Sequence, residues 1–306
     1  IFEELTNYDK NKKIISLLAD AQDQEKLEII FEKFKINTVY HCAAYKHVPL
    51  VEENICSGVK NNVFSTLSVV NASVSKKISN LVLISSDKAV RPTNIMGASK
   101  RLAELCMQGI YNSIKNINTS FSIVRFGNVL ESSGSVIPKF KKQIIEGGPV
   151  TLTHKDVTRF FMTTTEAAQL VIQAGAMGKN SEVFVLDMGK SIKILDLINK
   201  MINLMGFAIK DSSNLNGDIE IKIIGLRPGE KLYEELLVGD NPQKTKHPKI
   251  QKISDPSISF SQLELELKNL EKLISKNNAL EVKKLLEKLL KSYKSNSKIV
   301  DHMHFG

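Results

Sequence analysis

The sequence predicts an α/β fold in which a doubly wound parallel sheet is joined to a smaller α+β region. Short apolar runs alternate with helical segments of about ten to fifteen residues through the first half of the chain, which is typical of βαβ units. Each apolar run ends in small or polar residues, and ligands bind at that end of the strands in an open parallel sheet. With 306 residues and 42% apolar content, the chain can bury one large core or two modest ones.

The same patterns predict the individual elements. Strands are expected at residues 13–18, 38–41, 81–84, 120–125 and 183–187. Helices are expected at residues 24–34, 59–74, 98–111, 139–146, 165–174, 194–205, 261–276 and 280–293. The last two helices are amphipathic, and packing on the protein is the better interpretation than a membrane or partner surface. We expect residues 1–133 to form the sheet region and residues 134–306 mainly the second region with the C-terminal helices, while residues 160–190 return to the sheet.

The distribution of charge along the chain bears on whether the protein binds nucleic acid. The net charge is +9, and residues 241–306 hold thirteen Lys against seven Asp or Glu, a balance of +6. In that tail the lysines interleave with glutamates on helices and no aromatic platform accompanies them, which favours a solvated helix face over nucleic-acid binding. We therefore expect no nucleic-acid partner, although a small anionic substrate would suit the charge.

Three further features concern compartment and metals. No apolar run reaches the eighteen or so residues of a membrane span, and the first residues lack the pattern of a signal peptide, which predicts a soluble cytoplasmic chain. An odd number of cysteines without metal-ligand spacing favours reduced thiols. His41, Cys42 and His47 lie close in sequence, but no fourth ligand has matching spacing, so we expect no metal.

Residues 81–100 carry the strongest chemical signal. The strand at 81–84 runs into Ser86, Asp87 and Lys88, which places a hydroxyl, a carboxylate and an amine where the strand ends. Met96 and Lys100 follow on one face of the next helix. Taken alone, the Asp–Lys pair could be a surface salt bridge and Met96 a core residue.

Six sequence strings, read in order, resemble the extended short-chain dehydrogenase/reductases. They are HCAAYKHVPLVEEN, KNNVFST, ISSDKAVRPTNIMGASKRLAE, VRFGNVLESSGSVIPKF, TRFFMTTTEAAQLV and GLRPGEKLYEEL. More narrowly, the chain resembles the polysaccharide-biosynthesis branch of nucleotide-sugar 4,6-dehydratases that act on UDP-N-acetylglucosamine. The resemblance implies a Rossmann-like domain that binds NAD and a smaller domain that binds the nucleotide sugar.

The chain departs from the family pattern in two ways. No glycine-rich phosphate loop of the form GxxGxxG precedes a helix, so we expect a piece of a longer protein that lacks the first strands of the sheet; the alternative is a complete protein with a rearranged cofactor site. Most members also have a tyrosine where this chain has Met96, and a thioether cannot take a proton. The longer, membrane-anchored members of the branch resemble this chain in having methionine there, so Met96 indicates that subfamily.

The resemblance assigns roles in the reaction. A 4,6-dehydratase moves hydride from C4 of the sugar to NAD, removes the C5 proton, expels the 6-hydroxyl as water and returns the hydride to C6. Asp87 and Lys88 are implied as acid and base, Ser86 as the partner of O4, and Lys100 as the ligand of the nicotinamide ribose. One hypothesis for the base at O4 is Tyr45, with a packing or substrate-stacking role as the alternative.

The remaining site residues are also implied by the resemblance. Cofactor contacts are expected from Asp20, Ala21, Ala43, Ala44, Asn62 and Lys100, and substrate contacts from Tyr45, Lys46, Asn128, Arg159, Arg227 and Glu230. Asp20 has an alternative role as a helix N-cap, and Arg159 has one as a structural ion pair.

Together these expectations describe a dehydratase of UDP-N-acetylglucosamine in capsule or O-antigen synthesis, with NAD as cofactor. Two alternatives stay open, a UDP-sugar epimerase on the same scaffold and a non-catalytic nucleotide-sugar-binding remnant. We also expect a homo-oligomer. Contact with the cytoplasmic face of the membrane is expected only through a preceding N-terminal region.

Overall fold

The computed structural model describes residues 2–8, 12–130, 132, 134–236, 242–295 and 297–304. Its α-helices are α1 (Phe2–Tyr8), α2 (Gln24–Lys33), α3 (Val48–Glu52), α4 (Ile55–Val59), α5 (Ser65–Ser75), α6 (Ile95–Ser113), α7 (Val136–Ile145), α8 (Thr164–Met177), α9 (Ile194–Leu204), α10 (Phe260–Ser275) and α11 (Ala279–Leu289). Its strands are β1 (Thr38–His41), β2 (Asn80–Ile84), β3 (Ser120–Arg125), β4 (Asn128–Val129), β5 (Val150–Leu152), β6 (Thr158–Arg159), β7 (Phe161–Met162), β8 (Glu182–Leu186), β9 (Ile192–Lys193), β10 (Ile209–Lys210), β11 (Ile219–Ile223), β12 (Gln243–Lys244) and β13 (Ile250–Ile253).

The main sheet has six strands in the order β1-β2-β3-β8-β13-β12. The first four are parallel, whereas β13 runs antiparallel to β8 and β12 antiparallel to β13. Helices cover both faces, since alternate residues of one strand point to different helices. Leu81 and Leu83 of β2 pack with α5 and α6, while Val82 between them packs with α8. The predicted doubly wound α/β fold is therefore confirmed.

A smaller unit lies beside this sheet. Strands β10, β11 and β5 form a parallel three-stranded sheet, and helices α7 and α9 bury apolar side chains against it. Phe140 of α7 and Ile198 of α9 are in this separate core. The two units meet where β4, β6 and β7 follow the end of β3, so the cleft between them opens at the carboxyl ends of the main strands.

One strand prediction is wrong. Residues 13–20 form no strand and are mostly exposed, with Leu18 fully so. A strand needs a hydrogen-bonding neighbour, and β1 is the edge of the sheet with no strand beside its outer side among the described residues. The apolar pattern of residues 13–18 therefore indicates strand propensity without a partner that could realise it.

The placement of the C-terminal helices differs from the expected division of the chain. Helices α10 and α11 pack on α4 and α6 of the main unit, where Leu263, Leu286 and Tyr293 are buried with residues of α6. Strand β8 lies inside the main sheet, within the range of 160–190. Residue 133, the expected boundary, lies outside the described residues, and the division itself stays a prediction.

Candidate active site

A continuous cleft runs along the carboxyl ends of β1, β2 and β3 into the smaller unit. Its two halves share lining residues, namely Lys46, His47, Lys88, Asn128, Gly134 and Ser135. The half beneath the strand ends includes Ser86, Met96 and Lys100. The half towards the smaller unit includes Arg159, Arg227 and Glu230. The structure thus brings the predicted catalytic and substrate-binding residues to one groove, except Asp87, which is fully buried next to Lys88.

The Ser86–Asp87–Lys88 turn forms a closed hydrogen-bonded unit. Ser86 accepts from the backbone N–H of Lys88 at 3.2 Å and donates to Asp87 Oδ1 at 2.9 Å. Lys88 Nζ donates to the same oxygen at 3.0 Å. Asp87 is fully buried, and its Oδ2 has no hydrogen-bond partner among the described residues. A buried carboxylate oxygen without a hydrogen bond costs free energy, so a donor that binds to it would be stabilised there. Because Asp87 is fully buried, the alternative of a surface salt bridge for this pair is ruled out.

Two glycines allow this close approach. A Cβ at Gly127 would lie 3.0 Å from Asp87 Oδ2, and a Cβ at Gly97 would lie 2.1 Å from the carbonyl oxygen of Lys88. The first turn of α6 therefore packs directly on the backbone of the catalytic turn.

The charge of Lys88 is set by its neighbours. Burial lowers the pKa of Lys88, but the carboxylates of Asp87 and Glu234 outweigh that effect and raise the pKa above its ordinary value. Glu234 Oε1 lies 3.7 Å from Lys88 Nζ. At neutral pH Lys88 is thus an ammonium, which has to lose a proton before it can act as a base.

Lys100 has the opposite character. Burial lowers its pKa to about 8, and its Nζ donates to the carbonyl oxygen of Ile84 at 2.6 Å. Met96, one turn earlier on α6, is 4% exposed and lines the same half of the cleft. Met96 is therefore both a core residue and a wall of the cleft.

A buried ionic cluster supports the end of β2. Ser85 donates to Glu104 Oε1 at 2.5 Å, and Arg125 contacts Glu104 through two nitrogens at 2.8 and 2.5 Å. Asp255 accepts a further bond from Arg125 at 2.5 Å, and Arg101 joins both carboxylates. Burial acts to raise the pKa of Glu104, yet the arginines lower it to about 2. This cluster fixes the strand that carries the catalytic turn.

Asn62 acts through the backbone of Tyr45. Asn62 lies in a π-helical turn (Lys60–Phe64) and is 1% exposed. Its side-chain amide accepts a hydrogen bond from the N–H of Tyr45 at 2.7 Å and donates to the carbonyl oxygen of Tyr45 at 3.1 Å. It also donates to the hydroxyl of Ser99 at 2.9 Å. The structure therefore does not expose Asn62 to a cofactor. The Tyr45 ring is 56% exposed at the mouth of the cleft.

The predicted adenine contacts lie on a shallow shelf at the far end. Asp20 and Ala21 line it together with Ala43, whereas Ala44 lies nearer the catalytic turn. The alternative role of Asp20 as N-cap is wrong, because Asp23 caps α2 by accepting from the N–H of Lys26. Asp20 instead accepts from the N–H of Gln22, and its side chain is exposed.

The half of the cleft beside the smaller unit is rich in cations. Arg159 donates to Glu230 at 3.1 Å and to two backbone carbonyl oxygens. These contacts match the alternative role of Arg159 as a structural ion pair, and Arg159 also lines the cleft. Arg227 is exposed on the same wall, and Asn128 has a buried Oδ1 without a partner among the residues that the structure describes. The N-terminus of α7 also lies here, and Ser135 makes no side-chain cap bond to any described residue. Such a combination suits a diphosphate.

Two lining residues were missed by sequence reasoning. Lys139, on the first turn of α7, has a pKa lowered by burial and by Arg227. Glu234 was overlooked although it stands in the loop motif with Arg227 and Glu230. Its place in that motif was the only available signal, since residues 230–236 form no helix.

Neither a metal-binding cluster nor a membrane-spanning helix is present among the described residues. Among them, no group of three or more His, Cys, Asp and Glu side chains could hold a metal ion. His41 is buried beside Thr66, and burial lowers its pKa to about 3. In the same described part of the chain, we find no helix with the length and apolarity needed to span a bilayer.

The sequence is similar to known proteins whose names refer to polysaccharide biosynthesis or to nucleotide sugars. The chain is 48% identical over 238 residues to the capsular polysaccharide biosynthesis protein CapD of Staphylococcus aureus, which covers 78% of this chain and 38% of CapD. It is 31% identical over 244 residues to a UDP-N-acetylglucosamine 4,6-dehydratase (inverting) of Campylobacter jejuni, covering 79% and 68%. It is 32% identical over 234 residues to a UDP-glucose 4-epimerase of Rickettsia rickettsii, covering 76% and 65%.

The fold and the cleft define an extended short-chain dehydrogenase/reductase. A solved structure of Pen from Bacillus thuringiensis superposes with a TM-score of 0.74 at 34% identity, covering 88% of this chain and 85% of Pen. The profile of the polysaccharide biosynthesis protein family matches residues 1–255, and the chain belongs to that family. It spans less than two-fifths of the length of CapD and of EpsC from Bacillus subtilis, at 38% and 35%.

Proposed function

We propose that the chain carries the catalytic residues of a 4,6-dehydratase that acts on UDP-N-acetylglucosamine in capsule or O-antigen synthesis. The observation that carries the proposal is the Asp87–Lys88 pair, in which Lys88 lines a cleft continuous with a cationic pocket and donates to the buried Asp87 at 3.0 Å. An acid and a base side by side are what elimination of water across C5 and C6 requires. The similarity to the Campylobacter dehydratase supports the same chemistry.

The substrate would lie along the whole cleft. Arg227, Arg159 and Lys139 would hold the diphosphate with the N-terminus of α7, while Ser86 and Lys88 would line the cleft beside the sugar. Asp87 lies buried next to Lys88; in its protonated form it would give that proton to the departing 6-hydroxyl and be left as the carboxylate. Lys88, once neutral, takes the C5 proton. The residue that accepts the O4 proton stays a prediction, with Tyr45 as the candidate.

The residues present fit part of an NAD site. Asp20, Ala21 and Ala43 share one shelf at its adenine end, and Lys100 donates at the strand end where the nicotinamide ribose would lie. NAD when bound supplies the hydride acceptor. Asn62 would contribute by holding Tyr45 in place.

Product analysis with UDP-N-acetylglucosamine deuterated at C4 tests the proposal. A dehydratase moves the label to C6 and yields a 4-keto-6-deoxy sugar, whereas an epimerase leaves the carbon skeleton hydroxylated at C6. Asp87→Asn should abolish product formation, and Asp196→Asn, an exposed carboxylate on α9, should not. Label that stays at C4 with an inverted hydroxyl would reject the proposal.

The epimerase is a second candidate because the Rickettsia relative is a UDP-glucose 4-epimerase. An epimerase needs no acid and base at C5 and C6, so an epimerase reaction should survive Asp87→Asn better than dehydration. Calorimetric titration with UDP-N-acetylglucosamine and NAD separates both enzymes from a non-catalytic nucleotide-sugar-binding remnant, which would bind the nucleotide sugar but not NAD. The oligomeric state stays a prediction.

A further inference from the structure

A second buried carboxylate faces Lys88 from a distant part of the sequence. The side chain of Glu234 is 2% exposed, and its Oε1 lies 3.7 Å from Lys88 Nζ. Its other oxygen, Oε2, is buried and has no hydrogen-bond partner in the described part of the chain. Asp87 shows the same pattern on the other side, with Oδ1 on Lys88 and Oδ2 unpartnered. One ammonium is therefore shared by two buried carboxylates.

The loop that carries Glu234 is tied to the catalytic turn from several sides. Lys231 Nζ donates to the carbonyl of Val90 at 3.0 Å, and the N–H of Thr158 donates to the carbonyl of Leu232 at 3.1 Å. The next residue, Glu235, points outward and pairs with Arg91 at 3.4 Å on the surface. The backbone thus selects Glu234, and not its neighbour, to face the cleft.

The charges around Lys88 come from three elements. Asp87 belongs to its own turn, Glu234 to the loop, and Arg159 to β6, where its positive charge opposes the two carboxylates. Lys46 and His47 line the same cleft from the loop after β1. A lysine whose side chain is only 18% exposed keeps its proton in this setting unless a nearby group accepts it.

We propose that Glu234 is a positioning residue of the reaction centre that holds the ammonium of Lys88 and takes its proton when the amine has to act as base. The proposal rests on the proposed function. An N–H bond of Lys88 breaks and an O–H bond forms on the Glu234 carboxylate, so the pair stays neutral overall and nothing is oxidised or reduced. Lys88 takes the C5 proton, returns it to C5 when hydride reaches C6, and recovers its first proton from Glu234.

Competitive acetylation tests the coupling without any need for turnover. Wild type, Glu234→Gln and Glu235→Gln are treated with trace acetic anhydride at about pH 9, and the Lys88 and Lys100 peptides are quantified by mass spectrometry. Removing one of two carboxylates should lower the Lys88 pKa, so Lys88 in Glu234→Gln should react about tenfold faster than in wild type. Lys100 and the Glu235→Gln variant should not change. Equal Lys88 rates in all forms would overturn the proposal.

Two further measurements keep the test decisive. Glu234→Asp retains the charge but withdraws it by one methylene, and should give an intermediate rate if Glu234→Gln does not fold. In the deuterium-label assay, kcat of wild type should be nearly independent of pH because the proton stays inside the pair, whereas kcat of Glu234→Gln should rise about tenfold per pH unit. A uniform loss of kcat at all pH values would mean a purely structural role. Absence of dehydration in wild type would reject the proposed function while leaving the acetylation result valid.

Discussion

The contact between Gly97 and the catalytic turn predicts that Gly97→Ala uncouples activity from stability. A Cβ at this position would lie 2.1 Å from the carbonyl oxygen of Lys88 and 2.9 Å from its carbonyl carbon. Ordinary contact begins at 3.4 Å, so the helix or the turn has to move by about 1.3 Å. Both contacting atoms are backbone, which cannot rotate away as a side chain would.

The size of the effect follows from that displacement. Overpacking of this kind costs about 1–3 kcal/mol of unfolding free energy, which a chain of this size can tolerate. A shift of about 1 Å in a reacting group costs on the order of a hundredfold in rate. We therefore expect kcat to fall about a hundredfold while the protein stays folded.

Gly109→Ala on the same helix is the matched control. Its Cβ would meet the carbonyl oxygen of Ile258 at 3.2 Å, a tight but tolerable contact, and alanine favours the helix by up to about 1 kcal/mol. Dehydration of UDP-N-acetylglucosamine and urea unfolding are measured for both variants. If Gly97→Ala keeps kcat within about threefold of wild type, the packing of α6 on the turn does not position Lys88.

Two more predictions concern the ionic cluster and the cationic wall. Glu104→Gln leaves Arg125 buried beside a neutral group and should lower the unfolding free energy by about 3 kcal/mol in urea titrations. Because the pKa of Glu104 is about 2 in the folded protein instead of 4.5, its contribution to the unfolding free energy is present above about pH 4.5 and is lost as the pH falls towards 2. The same difference in unfolding free energy between wild type and Glu104→Gln at pH 3 and at pH 7 would contradict this. Arg227→Ala should weaken UDP binding about tenfold in calorimetry, and it should leave the unfolding midpoint unchanged because the side chain is exposed. The control Lys222→Ala on β11 should change neither the UDP affinity nor the unfolding midpoint. Unchanged UDP affinity in Arg227→Ala would place the diphosphate elsewhere.

Much of the fold could be predicted because its signals are local. The strands at 38–41 and 120–125 are confirmed to the residue, and most helix bounds lie within a few residues of their predictions. Residues 13–18 show the limit of that reasoning, since the apolar pattern is a property of the segment but a strand also requires a neighbour. The C-terminal helices show it as well: amphipathicity predicts that they pack, but not that α6 is the surface they pack on.

The candidate site divides in the same way. Ser86, Asp87 and Lys88 are adjacent in sequence, so their meeting was predictable, and Lys100 follows them on the next helix. Glu234 reaches Lys88 only through the tertiary path of its loop, and no spacing rule predicts that contact. Asn62 was expected to contact the cofactor, but in the structure its side-chain amide forms hydrogen bonds with the backbone of Tyr45.

The bond between Arg125 and Asp255 gives the chain an order of assembly. During synthesis the catalytic turn, α6 and β3 leave the ribosome long before Asp255, which supplies the last acceptor for the Arg125 guanidinium. Until then a positive charge at the base of the site has one carboxylate fewer than in the finished protein. The ionic cluster that supports β2 is therefore completed late, by a segment that takes no part in the chemistry.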